Sequence, residues 1–154
     1  RNEHEFKVMG LAPYAKASSG EKVYEKIKKL IWFNEEKMTL ESSIDMRRAT
    51  PYLIANDYQQ YRFDSLAYGI QKLTEELTKQ IVRAAIKKYD CGDISIAGGV
   101  FMNVKANQYI FEMPDVKSMV VTPSCGDESL AIGNAMYGYA KLHDNDLSGL
   151  KKLQ

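Results

Sequence analysis

The order of its segments predicts an α/β architecture with parallel strands for this 154-residue chain. The second half reads helix, strand, helix, strand, helix, the pattern of a βαβ crossover. Its two strand candidates, residues 93–97 and 117–122, are short and apolar, and they stop abruptly at Gly98-Gly99 and at Pro123. With 45% hydrophobic residues the chain has the makings of a real core, since a domain of this size buries roughly 68–70% of its unfolded surface.

Taken in order, residues 1–20 are short on periodicity and rich in Gly, Pro, Ser and Ala around Phe6-Lys7-Val8-Met9-Gly10-Leu11-Ala12-Pro13-Tyr14, so a loop-and-turn segment is expected. Residues 21–31 place Val23, Ile27, Leu30 and Ile31 at helical spacing, with Ser18 or Ser19 as cap. Trp32-Phe33 and Lys37-Met38-Thr39-Leu40 flank the polar spacer Asn34-Glu35-Glu36, which suits a hairpin. Residues 42–62 suggest helical pieces interrupted by Pro51. Asp64 is placed to cap a long helix running to about Tyr89, with Leu66, Ile70, Leu73, Leu77, Ile81, Ala84 and Ala85 as a stripe that should pack on a sheet. Residues 104–111 form the next helix, and 128–142, rich in Ala and Gly, the last. Residues 143–154 read as a surface linker, after a domain of residues 1–142.

Charge excludes some functions. Twenty-one basic side chains against 20 acidic ones leave +1, which is no footprint for a nucleic-acid binder. No run approaches the roughly 18 apolar residues of a membrane span, and the opening Arg1-Asn2-Glu3-His4-Glu5 is unlike a signal peptide, so a cytoplasmic location is expected. Cys91 and Cys125 make neither a CxxC pair nor a disulfide framework, so both should be reduced thiols. Because Arg1 is not a start methionine, the chain reads as a piece of a longer protein.

Two phrases could carry chemistry. Ile94-Ser95-Ile96-Ala97-Gly98-Gly99-Val100-Phe101-Met102-Asn103 follows a strand, where ligands sit in open α/β sheets and glycines let a backbone approach closely. A nucleotide contact is one reading, with Asn103 adding its amide to a ribose or phosphate oxygen; a tight turn without ligand is the other. Thr122-Pro123-Ser124-Cys125-Gly126-Asp127-Glu128-Ser129 also links a strand to a helix, so the two phrases should share one sheet edge. Exposed amides there suit phosphate, while Asp127 either binds a metal or caps the helix. Cys125 is a small packed residue or a thiol activated by the helix terminus. His4 and His143 stand far apart with no zinc spacing, and no GxSxG elbow exists. The tyrosines between Tyr52 and Tyr68 read as packing residues.

Together, residues 4–14, 97–103 and 123–128 resemble, in order and separation, the carbamoyltransferases of the NodU/CmcH type over nearly the whole chain. The resemblance implies a ribonuclease-H-like fold, the second half of an actin-like ATPase portion. It further implies an ATP-dependent O-carbamoyltransferase, in which carbamoyl phosphate and ATP give a carbamoyl-adenylate and pyrophosphate, and the carbamoyl group passes to a hydroxyl of a small-molecule acceptor. Carried over, Gly98, Gly99 and Asn103 match the nucleotide loop, Lys7, Gly10 and Tyr14 fall near the nucleotide, and Asp127 matches an aspartate of a divalent metal site for Fe, Zn or Mg. The family's HxxxH metal ligands and first phosphate loop lie outside this sequence, so the remaining domains of the parent are partners and the piece alone should not turn over. A sugar-kinase or chaperone ATPase relative, and a non-catalytic nucleotide-binding module, remain alternatives.

Overall fold

The computed structural model describes residues 5–149. Within them the chain is α/β. It divides into two compact units, one of residues 5–94 and 103–118, the other of residues 95–102 and 119–149.

In the first unit the opening segment is helical rather than looped. Helix α1 (Glu5–Leu11) runs into a 3-10 turn, Ala12–Tyr14, with Pro13 near its start where a missing N–H costs nothing. Helix α2 (Ala17–Ile27) begins four residues earlier than its apolar periodicity suggested, with Lys16 rather than a serine at the N-cap and no side-chain cap bond. Tertiary packing explains both departures. Ala12 is buried, and α1, the 3-10 turn and α2 all lie along one long helix, α4 (Phe63–Tyr89). Burial of one face stabilises segments whose own propensity is poor.

The hairpin forms as antiparallel strands β1 (Ile31–Asn34) and β2 (Thr39–Ser42), with Trp32 opposite Glu41 and Phe33 opposite Leu40. Its turn falls on residues 35–38 instead of Asn34-Glu35-Glu36, because Asn34 pairs with Thr39 and accepts Lys37 N–H at 3.1 Å. Helix α3 (Met46–Leu53) carries Pro51, which removes a helical hydrogen bond, and the chain loosens beyond it into a π turn, Ile54–Tyr58.

Helix α4 spans 27 residues. Its first residue is Phe63, so Asp64 is no cap: it sits inside the first turn, accepting Ser65 N–H at 2.7 Å and the Arg62 guanidinium at 2.9 Å. Lys87 and Lys88 in the last turn suit the helix dipole, and Asp90 in the left-handed region ends it. The buried set only partly follows the expected stripe, of which Leu73 and Ala84 are buried and Leu66, Leu77, Ile81 and Ala85 half-buried. Ala67, Gly69, Gln71, Leu73, Thr78, Val82 and Ala84 are buried, whereas Ile70 is 43% exposed. Nor does it pack mainly on a sheet, since its partners are α1, α2 and α5 (Val104–Phe111). Small residues decide this. A Cβ on Gly69 would stand 2.6 Å from Val23 Cγ1 and 2.9 Å from Tyr24 N, so α2 approaches closely only where α4 has no side chain. Val23 and Ile110 are fully buried against this helix layer, each worth about 1.5–3 kcal/mol.

Strands β3 (Asp93–Ile96) and β4 (Ser118–Val121) pair with each other. Lys117 N–H donates to Gly92 O at 2.8 Å and Thr122 N–H to Ile96 O at 2.9 Å, so the partners advance together and the sheet is parallel, with α5 in the crossover. In the second unit, helix α6 (Ser129–Leu142) buries no residue and exposes Leu130, Met136, Tyr137 and Leu142. Residues 143–145 and 148–149 are turns, with Asn145 N–H donating to Ala140 O at 2.7 Å. Among the described residues no helix is long and apolar enough to cross a membrane.

Candidate functional site

Within the first unit, three elements enclose a groove of about 610 Å³. Met9, Ala12 and Pro13 come from α1 and its 3-10 turn, Tyr68, Gln71, Lys72 and Glu75 from α4, and Val104, Lys105, Gln108 and Tyr109 from α5. The α4 contribution is an i, i+3, i+4, i+7 set, which is one helical face. Such a volume lies within the roughly 300–1,000 Å³ of small-molecule sites, and the mix of apolar wall with few polar groups is what they use.

Electrostatics of the groove's rim are largely settled internally. Lys72 donates to both Glu21 oxygens at 2.6 and 2.8 Å, Tyr68 OH donates to Glu21 at 2.8 Å, and the Lys72 amine lies 4.4 Å from the Tyr24 ring centroid. Tyr24 OH donates to Glu76. The hydrogen bond from Lys72, then that from Tyr68, holds the Glu21 carboxyl below its usual range, while Glu21 raises the Lys72 amine. Burial, then Glu76, raises the Tyr24 phenol. A carboxyl lowered in the folded state adds stability above its unfolded pKa and loses it as pH falls through the lowered value. The stability difference between the wild type and Glu21→Gln is therefore expected to be flat through neutral pH and to shrink as pH falls below about 4. Urea midpoints at pH 7, 5 and 3 check this, and a gap that persists at pH 3 would show that the pair does not carry it. Lys105, by contrast, has no carboxylate partner among the described residues; its amine donates to Gln108 at 3.2 Å and lies 5.4 Å from the Tyr109 centroid.

The residues singled out in the sequence fall in different places. Lys7, Gly10 and Tyr14 belong to the segment that walls the groove but do not line it; all three are exposed, with Tyr14 at 78%. Residues 7, 10 and 14 share one side of a helical turn while Met9, Ala12 and Pro13 share another. Asn103 caps α5 by accepting Ala106 N–H at 3.1 Å and exchanges two hydrogen bonds with Gln71.

Gly98, Gly99 and Asp127 lie in the second unit, at the carboxyl ends of β3 and β4. Gly98 has φ +105°, a conformation reserved for glycine, and accepts Phe101 N–H at 2.9 Å as the chain enters the 3-10 turn Gly99–Met102. A Cβ at Gly99 would meet nothing within 4 Å. In the second loop Cys125 is buried and donates its thiol to Thr122 O at 3.0 Å, as a packed residue does. Ser124 OH donates to Glu128, holding that carboxyl below its usual range. Asp127 does not cap α6: the N-cap is Glu128, without a side-chain cap bond. The Asp127 carboxylate is exposed and has no hydrogen-bond partner among the described residues. It fits the role of one metal ligand, but no cluster of three His, Cys, Asp or Glu side chains exists among the described residues to complete a site. His4 lies outside the described residues; His143 is exposed and stacks on Tyr139 with centroids 4.0 Å apart. The groove residues of α4 and α5 were missed, because Tyr68, Gln71, Lys72 and Glu75 do not stand out on a helix that carries many other polar and charged side chains.

Fold and groove thus define an α/β module with an open groove between its helices α1, α4 and α5. The chain belongs to the carbamoyltransferase N-terminus family, whose model matches residues 1–136. It is 27% identical to an uncharacterized protein of Methanocaldococcus jannaschii over 99% of this chain and 25% of that protein. It is also 27% identical to the nodulation protein NolNO of Sinorhizobium fredii, over 86% of this chain and 20% of that protein. An uncharacterized Synechocystis protein is 26% identical over 88% of the chain and 24% of its own length. The chain therefore spans at most about a quarter of the curated relatives it matches. No solved structure matches it significantly.

Proposed function

We propose that this chain is the nucleotide-binding portion, residues 1–142 with a linker beyond, of an ATP-dependent O-carbamoyltransferase of the NodU/CmcH type with an actin-like, ribonuclease-H-like architecture. Carbamoyl phosphate supplies the carbamoyl group with loss of inorganic phosphate; the resulting carbamate takes the adenylyl group of ATP with release of pyrophosphate, and carbamoyl-adenylate then passes the carbamoyl group to a hydroxyl of a small-molecule acceptor with release of AMP. The family match motivates the chemistry, and the groove is the observation that carries the nucleotide reading. Met9, Pro13 and Val104 offer apolar walls for a flat base, and Lys105, uncommitted to a carboxylate, offers charge to a phosphate. In the second unit, taken by itself, the Gly98-Gly99 backbone leaves room for close approach of a phosphate, and Asp127 would supply one carboxylate to a divalent metal whose other ligands come from the rest of the parent protein. That metal would neutralise phosphate charge as the leaving group departs.

The test is product analysis with the full-length protein. Pyrophosphate release from ATP that depends on carbamoyl phosphate is the expected result. ADP and phosphate as products would assign a sugar-kinase or chaperone-like relative instead, and no ATP consumption would overturn the reading.

A further inference from the structure

Gln71 is an unusual residue to bury. It lies in the first third of α4, 6% exposed, and both ends of its amide are engaged. Its Nε2 donates to Glu75 Oε1 at 2.7 Å and to Asn103 Oδ1 at 3.1 Å, while its Oε1 accepts from Asn103 Nδ2 at 2.8 Å. Amide orientation is often ambiguous, because the oxygen and nitrogen ends have the same shape. Here the chemistry at both ends of the chain removes the ambiguity. A carboxylate only accepts, so the nitrogen of Gln71 must face Glu75; the backbone N–H of Ala106 only donates, so the oxygen of Asn103 must face α5. Between these two fixed ends the reciprocal pair closes in a single sense.

The count of bonds has a consequence. Asn103 Oδ1 accepts twice, from Ala106 and Gln71, which uses both lone pairs, and Nδ2 gives one hydrogen to Gln71. One N–H donor of Asn103 is left, in a fixed direction, for an acceptor atom. A residue in that state selects a ligand oxygen rather than a ligand N–H.

We infer that Gln71 is a positioning residue that orients Asn103, through the Glu75–Gln71–Asn103–Ala106 chain, to present a single N–H donor to an oxygen of the bound nucleotide. This rests on the nucleotide reading above, and the two are separable. Gln71→Glu keeps size and shape but places a carboxylate against both Glu75 and Asn103 Oδ1, so the chain loses its direction. In the full-length protein Gln71→Glu is expected to raise the KM for ATP about tenfold with kcat nearly unchanged. Adding Glu75→Gln, which gives position 75 a donor, relieves the clash at that end but not the one at Asn103 Oδ1, so KM is expected to recover only in part. Gln71→Met, apolar and a good helix former, removes the bonds without repulsion and is expected to raise KM to a smaller extent; it serves if Gln71→Glu does not fold. Melting temperatures accompany each variant. If ATP binds the wild type by calorimetry and folded Gln71 variants keep its KM, or lose only stability, the positioning role is overturned while the nucleotide reading stands. If the wild type binds no ATP, the nucleotide reading itself falls, and the inference with it.

Discussion

Gly99→Val in the full-length protein is expected to weaken ATP by about a hundredfold or more, the scale of a clash worth about 3 kcal/mol, with little change in melting temperature. The local structure makes this informative. Gly99 is exposed, it has no positive φ, and a Cβ there would meet no protein atom within 4 Å. The fold therefore does not require glycine at 99, and a lost affinity would report on a ligand that comes close to the backbone. Gly98 is the control. At φ +105° any side chain is strained, by about 1–3 kcal/mol, so Gly98→Ala should lower stability whether or not nucleotide binds. Wild-type ATP affinity in Gly99→Val would show that the loop is only a turn and would remove it from the site.

The second large effect is expected at Asp127. Asparagine has the size of aspartate but is a poor ligand for a hard or borderline divalent ion. Because the Asp127 side chain caps nothing and is exposed, Asp127→Asn should leave stability within about 0.5 kcal/mol of wild type. In the full-length protein, bound metal and carbamoyl transfer should fall together. The rate loss should be about a hundredfold or more, given the several kcal/mol of charge stabilisation that a metal supplies at a phosphoryl oxygen. Metal analysis alongside an activity assay decides the matter. Full retention of both would end the metal assignment, and the cap explanation is no longer there to replace it.

Several elements were legible because local chemistry specified them. Residues 104–111 form a helix with the expected bounds, since Asn103 is a good N-cap and its amide accepts the Ala106 N–H. The two strands and their parallel order followed from short apolar runs joined by a crossover helix, and the long helix ended at Tyr89 as read. The opening segment was not legible. Gly, Pro and Ser in residues 1–20 suggested turns, yet α1, the 3-10 turn and the start of α2 form because Ala12, Gly20 and Val23 find a surface on α4. A Cβ on Gly20 would strike the Tyr68 ring, so its glycine serves close packing rather than a turn.

What the sequence determined alone, then, is where strands and helices change over: the apolar runs that become strands, the Gly-Gly pair and proline just beyond them, and the bounds of α5. It also contained enough to match the carbamoyltransferase N-terminus family over residues 1–136. Only the tertiary structure decided which face of α4 is buried and where the groove lies. Periodicity identifies an apolar stripe, but the face that packs is the one where Gly69 lets α2 come close. That choice brings Tyr68, Gln71, Lys72 and Glu75 opposite α5. Pairing across 32 residues, as between Gln71 and Asn103, depends on how three helices meet, and no local signal encodes that distance.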